Sequence, residues 1–161
     1  MARYSRMGKL GTQERAHRAV IENAMLATDT LGFADRYVSE LSGGEWQRLR
    51  VAQALAQEPD WLFLDEPTAH LDVGVQLELM ELLARLNRDN QLTVIVTLHD
   101  LNLALTYSQR VLLLQAGEIK LDKPAIECAE HPTLDSVFEV EFKRFPTDRG
   151  TAVIARKKST D

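Results

Sequence analysis

Ser42-Gly43-Gly44-Glu45 and Asp65-Glu66 are the residues whose types and spacing could do chemistry. Ser42 precedes a helix-forming stretch, and Glu45 follows three residues later, the pattern of a capping box. Residues 42–44 would then sit at a helix N-terminus. There the unpaired backbone N–H groups and the positive end of the helix dipole favour an anion. Two glycines let a phosphate approach the backbone with no Cβ in the way. The plain alternative is a turn followed by a cap. Thirteen residues after Arg48 begins Trp61-Leu62-Phe63-Leu64, a continuous apolar run that ends in the two acids. Such a run is expected of a strand covered on both faces. Ligands bind beyond the carboxyl ends of strands in open α/β sheets. At that place Asp65 suits Mg²⁺, held through water because the ion keeps much of its hydration. Glu66 suits a base that orients and deprotonates an attacking water. The alternative is two acids in a solvated turn, or a cap for the next helix.

Two further residues belong with these. His99 closes a second β-prone run, Leu92 to Leu98, and is expected at the same sheet edge as Glu66. Asp72 lies just past the turn that Pro67 opens. It could cap the following helix or belong to the site, and both can hold. Nothing in the chain matches G-x-x-x-x-G-K-[ST], the loop that cradles phosphates. Gly8-Lys9-Leu10 has neither the upstream glycine nor the hydroxyl residue. His17, His70 and His131 have no partners at metal-ligand spacing, so no zinc site is expected. Cys128 has no base beside it that would make it a nucleophile.

The elements that must position these residues are readable from pattern. Ala16, Ala19, Val20, Ala24 and Ala27 recur at helical spacing, predicting a helix over 13–30 after an irregular, polar residues 1–12. A helix opens at Ser42 and runs to about Gln57, because Pro59 prevents its continuation. Leu41 and Trp46 flank the cap as a hydrophobic staple would. Val75, Leu79, Leu82, Leu83 and Leu86 share one face of a helix over 74–88. Asp100 can cap a helix over 101–108. Residues 111–115 and 118–121 flank Ala116-Gly117 as a hairpin. The tail, from Pro124, predicts one or two short helices and strands near 140–145 and 152–155. Strand, helix, strand, helix, strand is an α/β rhythm.

Composition narrows the classes. A chain of 161 residues fits one domain with a real core. Its net charge of −5 argues against nucleic-acid binding, which needs a basic face. With one cysteine an internal disulfide is impossible, and a reducing compartment is the simple expectation. No apolar run approaches the roughly 20 residues of a transmembrane helix, and no apolar segment follows Arg3, Arg6 and Lys9 as in a signal peptide. A membrane role would come through a partner.

Taken together, Leu41-Ser42-Gly43-Gly44-Glu45-Trp46-Gln47-Arg48, Leu62-Phe63-Leu64-Asp65-Glu66-Pro67, Ala69-His70-Leu71-Asp72 and His99 resemble the signature, Walker B, D-loop and switch histidine of ATP-binding-cassette (ABC) ATPases, in that family's order. The resemblance covers roughly residues 1–145. The segment His99-Asp100-Leu101-Asn102-Leu103-Ala104 is most similar to ATPase subunits of importers for iron-siderophore, haem or vitamin B12.

That resemblance implies an α/β, partial P-loop NTPase fold, mostly parallel, with flanking helices and part of the helical subdomain. It implies a chain truncated at the N-terminus and without its Walker A strand. Residues 1–58 would form part of the helical subdomain, 59–122 the Walker B to switch-histidine core, and 123–161 C-terminal helices and strands. Two such ATPases meet head to tail, so Ser42, Gly43 and Gly44, with Glu45 and Asp72, would contact ATP bound to a second ATPase subunit. Asp65 would hold Mg²⁺, and Glu66 and His99 would be catalytic on nucleotide in the chain's own phosphate loop. That loop, the adenine-stacking aromatic and the Q-loop glutamine are absent, and residues 1–12 resemble the stretch after the Q-loop. Gln53 stands where the family carries Arg, a change expected to weaken a polar contact without inactivating.

The implied protein is peripheral, on the cytoplasmic face of the inner or plasma membrane. It would dock through residues 1–50 to transmembrane permease subunits and serve a periplasmic binding protein indirectly. The alternative is a non-hydrolysing module that lends its signature in trans or only docks. A soluble ABC protein of translation or DNA repair would need a second cassette or a long coiled coil, and the sequence has neither. Without the Walker A strand, residues 93–98 or 111–115 should lack a sheet neighbour, which favours association of the lone chain.

Overall fold

The computed structural model describes residues 12–157. The expectations for residues 1–11 lie outside the described residues. The chain divides into two compact units, one ending at Thr97 and the other beginning at Leu98.

The first unit is helical around one parallel strand pair. Helix α1 spans Thr12–Ala27. It ends sooner than its periodicity predicts, because Thr28 and Thr30 turn inward and are fully buried. Their hydroxyls bond each other at 2.9 Å, and Thr28 also donates to the Ala24 carbonyl at 2.9 Å. Burying two hydroxyls is tolerable when each has a partner. Two single 3₁₀ turns, Leu31–Phe33 and Val38–Glu40, lead to α2, Gly43–Leu55. Strand β1 is Trp61–Leu64, α3 is Val73–Asn90 and β2 is Thr93–Val96. The apolar face expected of α3 is the one it buries: Leu79, Leu82, Leu83 and Leu86 are each no more than 5% exposed. Gln91, at φ 53°, stops α3 in the left-handed conformation common past helix ends.

β1 and β2 are parallel, in the register Trp61↔Thr93 to Leu64↔Val96. The run Trp61–Leu64 predicts cover on both faces, and here the structure differs. Leu62 is buried, while Trp61 and Phe63 are 57% and 68% exposed, their rings stacked at 6.4 Å. Ile95, the register partner of Phe63, is 41% exposed. The physical reason is that among the described residues this sheet has two strands and cover on the Leu62 face only.

The second unit opens with α4, Leu101–Tyr107, followed by the hairpin β3, Arg110–Gln115, and β4, Glu118–Pro124. Its two-residue turn places both Ala116 and Gly117 at positive φ, 53° and 78°, as a primed hairpin turn requires. Helices α5, Ala125–Glu130, and α6, Thr133–Val137, precede a second hairpin of β5, Glu141–Thr147, and β6, Gly150–Arg156. Leu105, Val111, Leu113, Leu134, Phe142 and Val153 form the centre of this unit's core. Among the described residues parallel pairing is confined to β1 and β2; the other two pairs are antiparallel because short turns join them. Asp135 accepts from the Phe142 N–H at 2.6 Å and pairs with Arg144, which also donates to the Ala129 and Phe142 carbonyls at 2.8 Å each. The Arg144 guanidinium, first, and the Phe142 N–H hold the Asp135 carboxyl below the usual range.

Candidate nucleotide-handling site

The helix tip has the capping geometry its sequence predicts. Ser42 is extended, φ −64° and ψ 164°, and its Oγ accepts from the Glu45 N–H at 3.3 Å. Glu45 Oε2 accepts from the Ser42 N–H at 2.7 Å, and its Oε1 accepts from Arg36 at 2.9 Å. The Ser42 N–H bond, ahead of Arg36, holds the Glu45 carboxyl below its usual range. Both Glu45 oxygens are therefore engaged within the tip. Arg36 was not legible as part of it; it also donates to the Glu40 carbonyl at 2.7 Å, which ties the 3₁₀ turn to the cap.

The two glycines differ. Gly43 is exposed at the tip, where a Cβ would meet Leu71 Cδ2 at an ordinary 3.4 Å. Gly44 is buried, and a Cβ there would meet Val75 Cγ1 at 2.3 Å. Close helix packing by itself accounts for glycine at 44, whereas at 43 the structure leaves room for a Cβ. The structure brings this tip together with the Thr68–Val75 segment, a juxtaposition that the sequence spacing does not reveal.

The acids sit where the strand pattern predicts. Asp65 and Glu66 follow the end of β1, and both are exposed. Thr97, directly after β2, bridges them. Its hydroxyl donates to Asp65 Oδ1 at 2.6 Å and accepts from the Glu66 N–H at 2.9 Å. Glu66 has φ 44°, and His70, in the same turn, has φ 62°. Non-glycine residues in this region carry strain that surrounding structure must hold, and such residues gather at functional sites. Here the holding groups are visible. Thr97 fixes the Glu66 amide, and Gln76 Nε2 donates to the Thr68 carbonyl at 3.3 Å and the Leu71 carbonyl at 2.9 Å. Asp72 occupies the N-cap position of α3 with extended backbone, and its side chain makes no capping bond.

His99 is exposed and belongs to the second unit, two residues along the chain from Thr97. Asp100 caps α4 as expected, Oδ1 accepting from the Leu103 N–H at 3.0 Å. Asn102 straps α4 to β6. Its Nδ2 donates to the Val153 carbonyl at 3.1 Å, and its Oδ1 accepts from the Val153 N–H at 2.8 Å. Gln53 is exposed on α2.

The donor set at the end of β1 fits a hydrated divalent cation. Among the described residues no three acidic, histidine or cysteine side chains converge as a metal cage. An ion here would be reached by Asp65 through water and by phosphate oxygens, the mode Mg²⁺ favours. For ATP the fit is partial: the helix tip and acids are present, and a G-x-x-x-x-G-K-[ST] cradle is not among the 161 residues.

A capped Gly-Gly helix tip against a strained acidic turn, beside a parallel strand pair, is the local arrangement that the resemblance to ATP-binding cassettes implies. Comparison with known proteins agrees. The ABC transporter family model matches residues 4–69. A petrobactin import ATP-binding protein of Bacillus anthracis is 38% identical over 135 residues, 84% of this chain and 50% of the relative. A hemin import ATP-binding protein of a Jannaschia species is 40% identical over 129 residues, 74% of this chain and 47% of the relative. A dimeric ABC cassette, MJ0796, solved in a post-hydrolysis state with ADP and Pi, superposes with a TM-score of 0.58 at 33% identity, covering 73% of this chain and 50% of that one. The chain belongs to the ABC transporter ATP-binding family, with a partial P-loop NTPase fold, and spans about half the length of the curated relatives it matches.

Proposed function

We propose that the chain is part of the ATP-hydrolysing subunit of an ABC importer for iron chelates, haem or vitamin B12. The observation that carries this reading is the acidic end of β1, with Asp65 and Glu66 bracketed by Thr97, next to a turn packed on a signature-type helix tip. The relatives named as petrobactin and hemin import ATP-binding proteins support the iron-chelate and haem choices. Mg²⁺, when bound, neutralises charge that develops on the transferring phosphoryl group. Asp65 would hold that ion through its water shell, and Glu66 would orient the attacking water and take its proton. His99 contacts the γ-phosphate. Ser42 and Gly43 present backbone N–H groups to nucleotide held by a second ATPase subunit, with Asp72 beside them, and Gly44 lets that tip seat against α3. The dimeric MJ0796 cassette with ADP and Pi supports the pairing of two ATPase subunits. The assembly works at the cytoplasmic membrane face, with transmembrane permease subunits; among the described residues no helix is long and apolar enough to cross a membrane.

The test is Mg²⁺-dependent phosphate release by the chain purified with its co-purifying partners, compared with Glu66→Gln. The expected result is loss of at least a hundredfold in rate with nucleotide binding retained. Hydrolysis that survives Glu66→Gln overturns the catalytic assignment.

A further inference from the structure

We infer that Thr97 is a positioning residue for the acidic pair, setting the orientation of the Asp65 carboxylate and the backbone of Glu66 through one hydroxyl. The inference rests on the reading of Asp65 and Glu66 given above and goes beyond it to a residue to which that reading gives no role. Thr97 continues the parallel register past β2, its N–H donating to the Leu64 carbonyl at 3.0 Å. That bond sets the threonine side chain level with the two residues after Leu64. A hydroxyl has one hydrogen and two acceptor lone pairs. A carboxylate only accepts and an amide N–H only donates, so the direction of both bonds is fixed. The hydrogen goes to Asp65 Oδ1 at 2.6 Å, and a lone pair receives the Glu66 N–H at 2.9 Å. One side chain thereby joins residues that chemistry needs in register: the acid that holds the ion's water shell and the acid that activates the attacking water. With Oδ1 engaged by Thr97, the carboxylate plane is set and Oδ2 keeps its lone pairs for a metal-bound water. With its amide engaged, Glu66 is held at φ 44°, a conformation an L-residue rarely adopts without support.

The test uses the full chain with Thr97→Val, which keeps the β-branched shape and removes the hydroxyl, and Thr97→Ser, which restores it. Two quantities are read: hydrogen exchange at the Glu66 amide against that at the β1 amides, and Mn²⁺ affinity by electron paramagnetic resonance. In Thr97→Val the Glu66 amide is expected to exchange at least tenfold faster while β1 is unchanged, and Mn²⁺ to bind at least threefold more weakly. Thr97→Ser is expected to return both towards the original values. Asp65→Asn separates the inference from the reading beneath it. If Asp65→Asn weakens Mn²⁺ binding and Thr97→Val changes neither quantity, Thr97 does not position the acids and the inference is overturned alone. If Asp65→Asn leaves Mn²⁺ binding unchanged, the metal assignment has failed and the inference falls with it, whatever the Glu66 amide shows.

Discussion

Gly44 packs so closely on Val75 that a methyl group at its Cα would lie 2.3 Å from Val75 Cγ1. The contact joins the first turn of α2 to the first turn of α3, and neither backbone can yield without disturbing a cap or a turn. Gly44→Ala is therefore expected to destabilise the first unit by about 1–3 kcal/mol, the range of overpacked core sites. Gly43→Ala, with 3.4 Å available, is expected to cost less. Urea denaturation of both variants checks the order, which reverses if the contact does not matter.

The cap makes a separate prediction. Ser42 Oγ satisfies the Glu45 N–H, so Ser42→Ala leaves one helix-end donor to water. The expected loss is about 1 kcal/mol. Ser42→Asp, which keeps an acceptor and adds charge at the positive end of the dipole, should recover most of it. Thermal unfolding followed by circular dichroism measures both.

In the second unit, the surroundings of Asp135 predict a pH dependence of stability. Its folded carboxyl lies below the ordinary value of 3.8, chiefly because Arg144 donates to it. A depressed acid contributes stability that is present above the unfolded value and lost as pH falls through the folded one. The unit is thus expected to weaken below about pH 3.8. Arg144→Met should remove that part of the acid sensitivity and cost about 1–3 kcal/mol at neutral pH, since the acceptors it serves lose their donor. Denaturation midpoints between pH 2 and 7 decide it.

The open face of the β1–β2 pair predicts association. Trp61, Phe63 and Ile95 present a contiguous apolar surface, and such surfaces drive contact between copies at high concentration. Phe63→Thr, which keeps strand propensity, is expected to raise the monomer fraction in size exclusion at tenfold-spaced loadings. An unchanged profile would mean this face is not where copies meet.

What the sequence revealed was mostly local. Ser42 and Glu45 are three residues apart, and their reciprocal bonds follow from that spacing. The face of α3 and the Ala116-Gly117 turn were readable for the same reason: helical period and turn chemistry act over a few neighbours. What escaped detection joins distant segments. Thr97 reaches residues 31 and 32 positions away, and nothing in a β-prone run singles out one threonine as a bridge. Gly44 resembled a phosphate-approach glycine because its packing partner, Val75, lies in another helix. The exposure of Trp61 and Phe63 was hidden for a different reason: an apolar run shows that a face wants cover, not whether cover is there.

Val75, Gln76 and Leu79 lie close together on α3, and each is committed to a different neighbour. Val75 fills the space over Gly44, Gln76 holds the Thr68 and Leu71 carbonyls, and Leu79 is sunk in the interior at 1% exposure. One stretch of α3 thus serves two neighbours at once, the glycine tip through Val75 and the strained acidic bend through Gln76, so a substitution there is expected to disturb both.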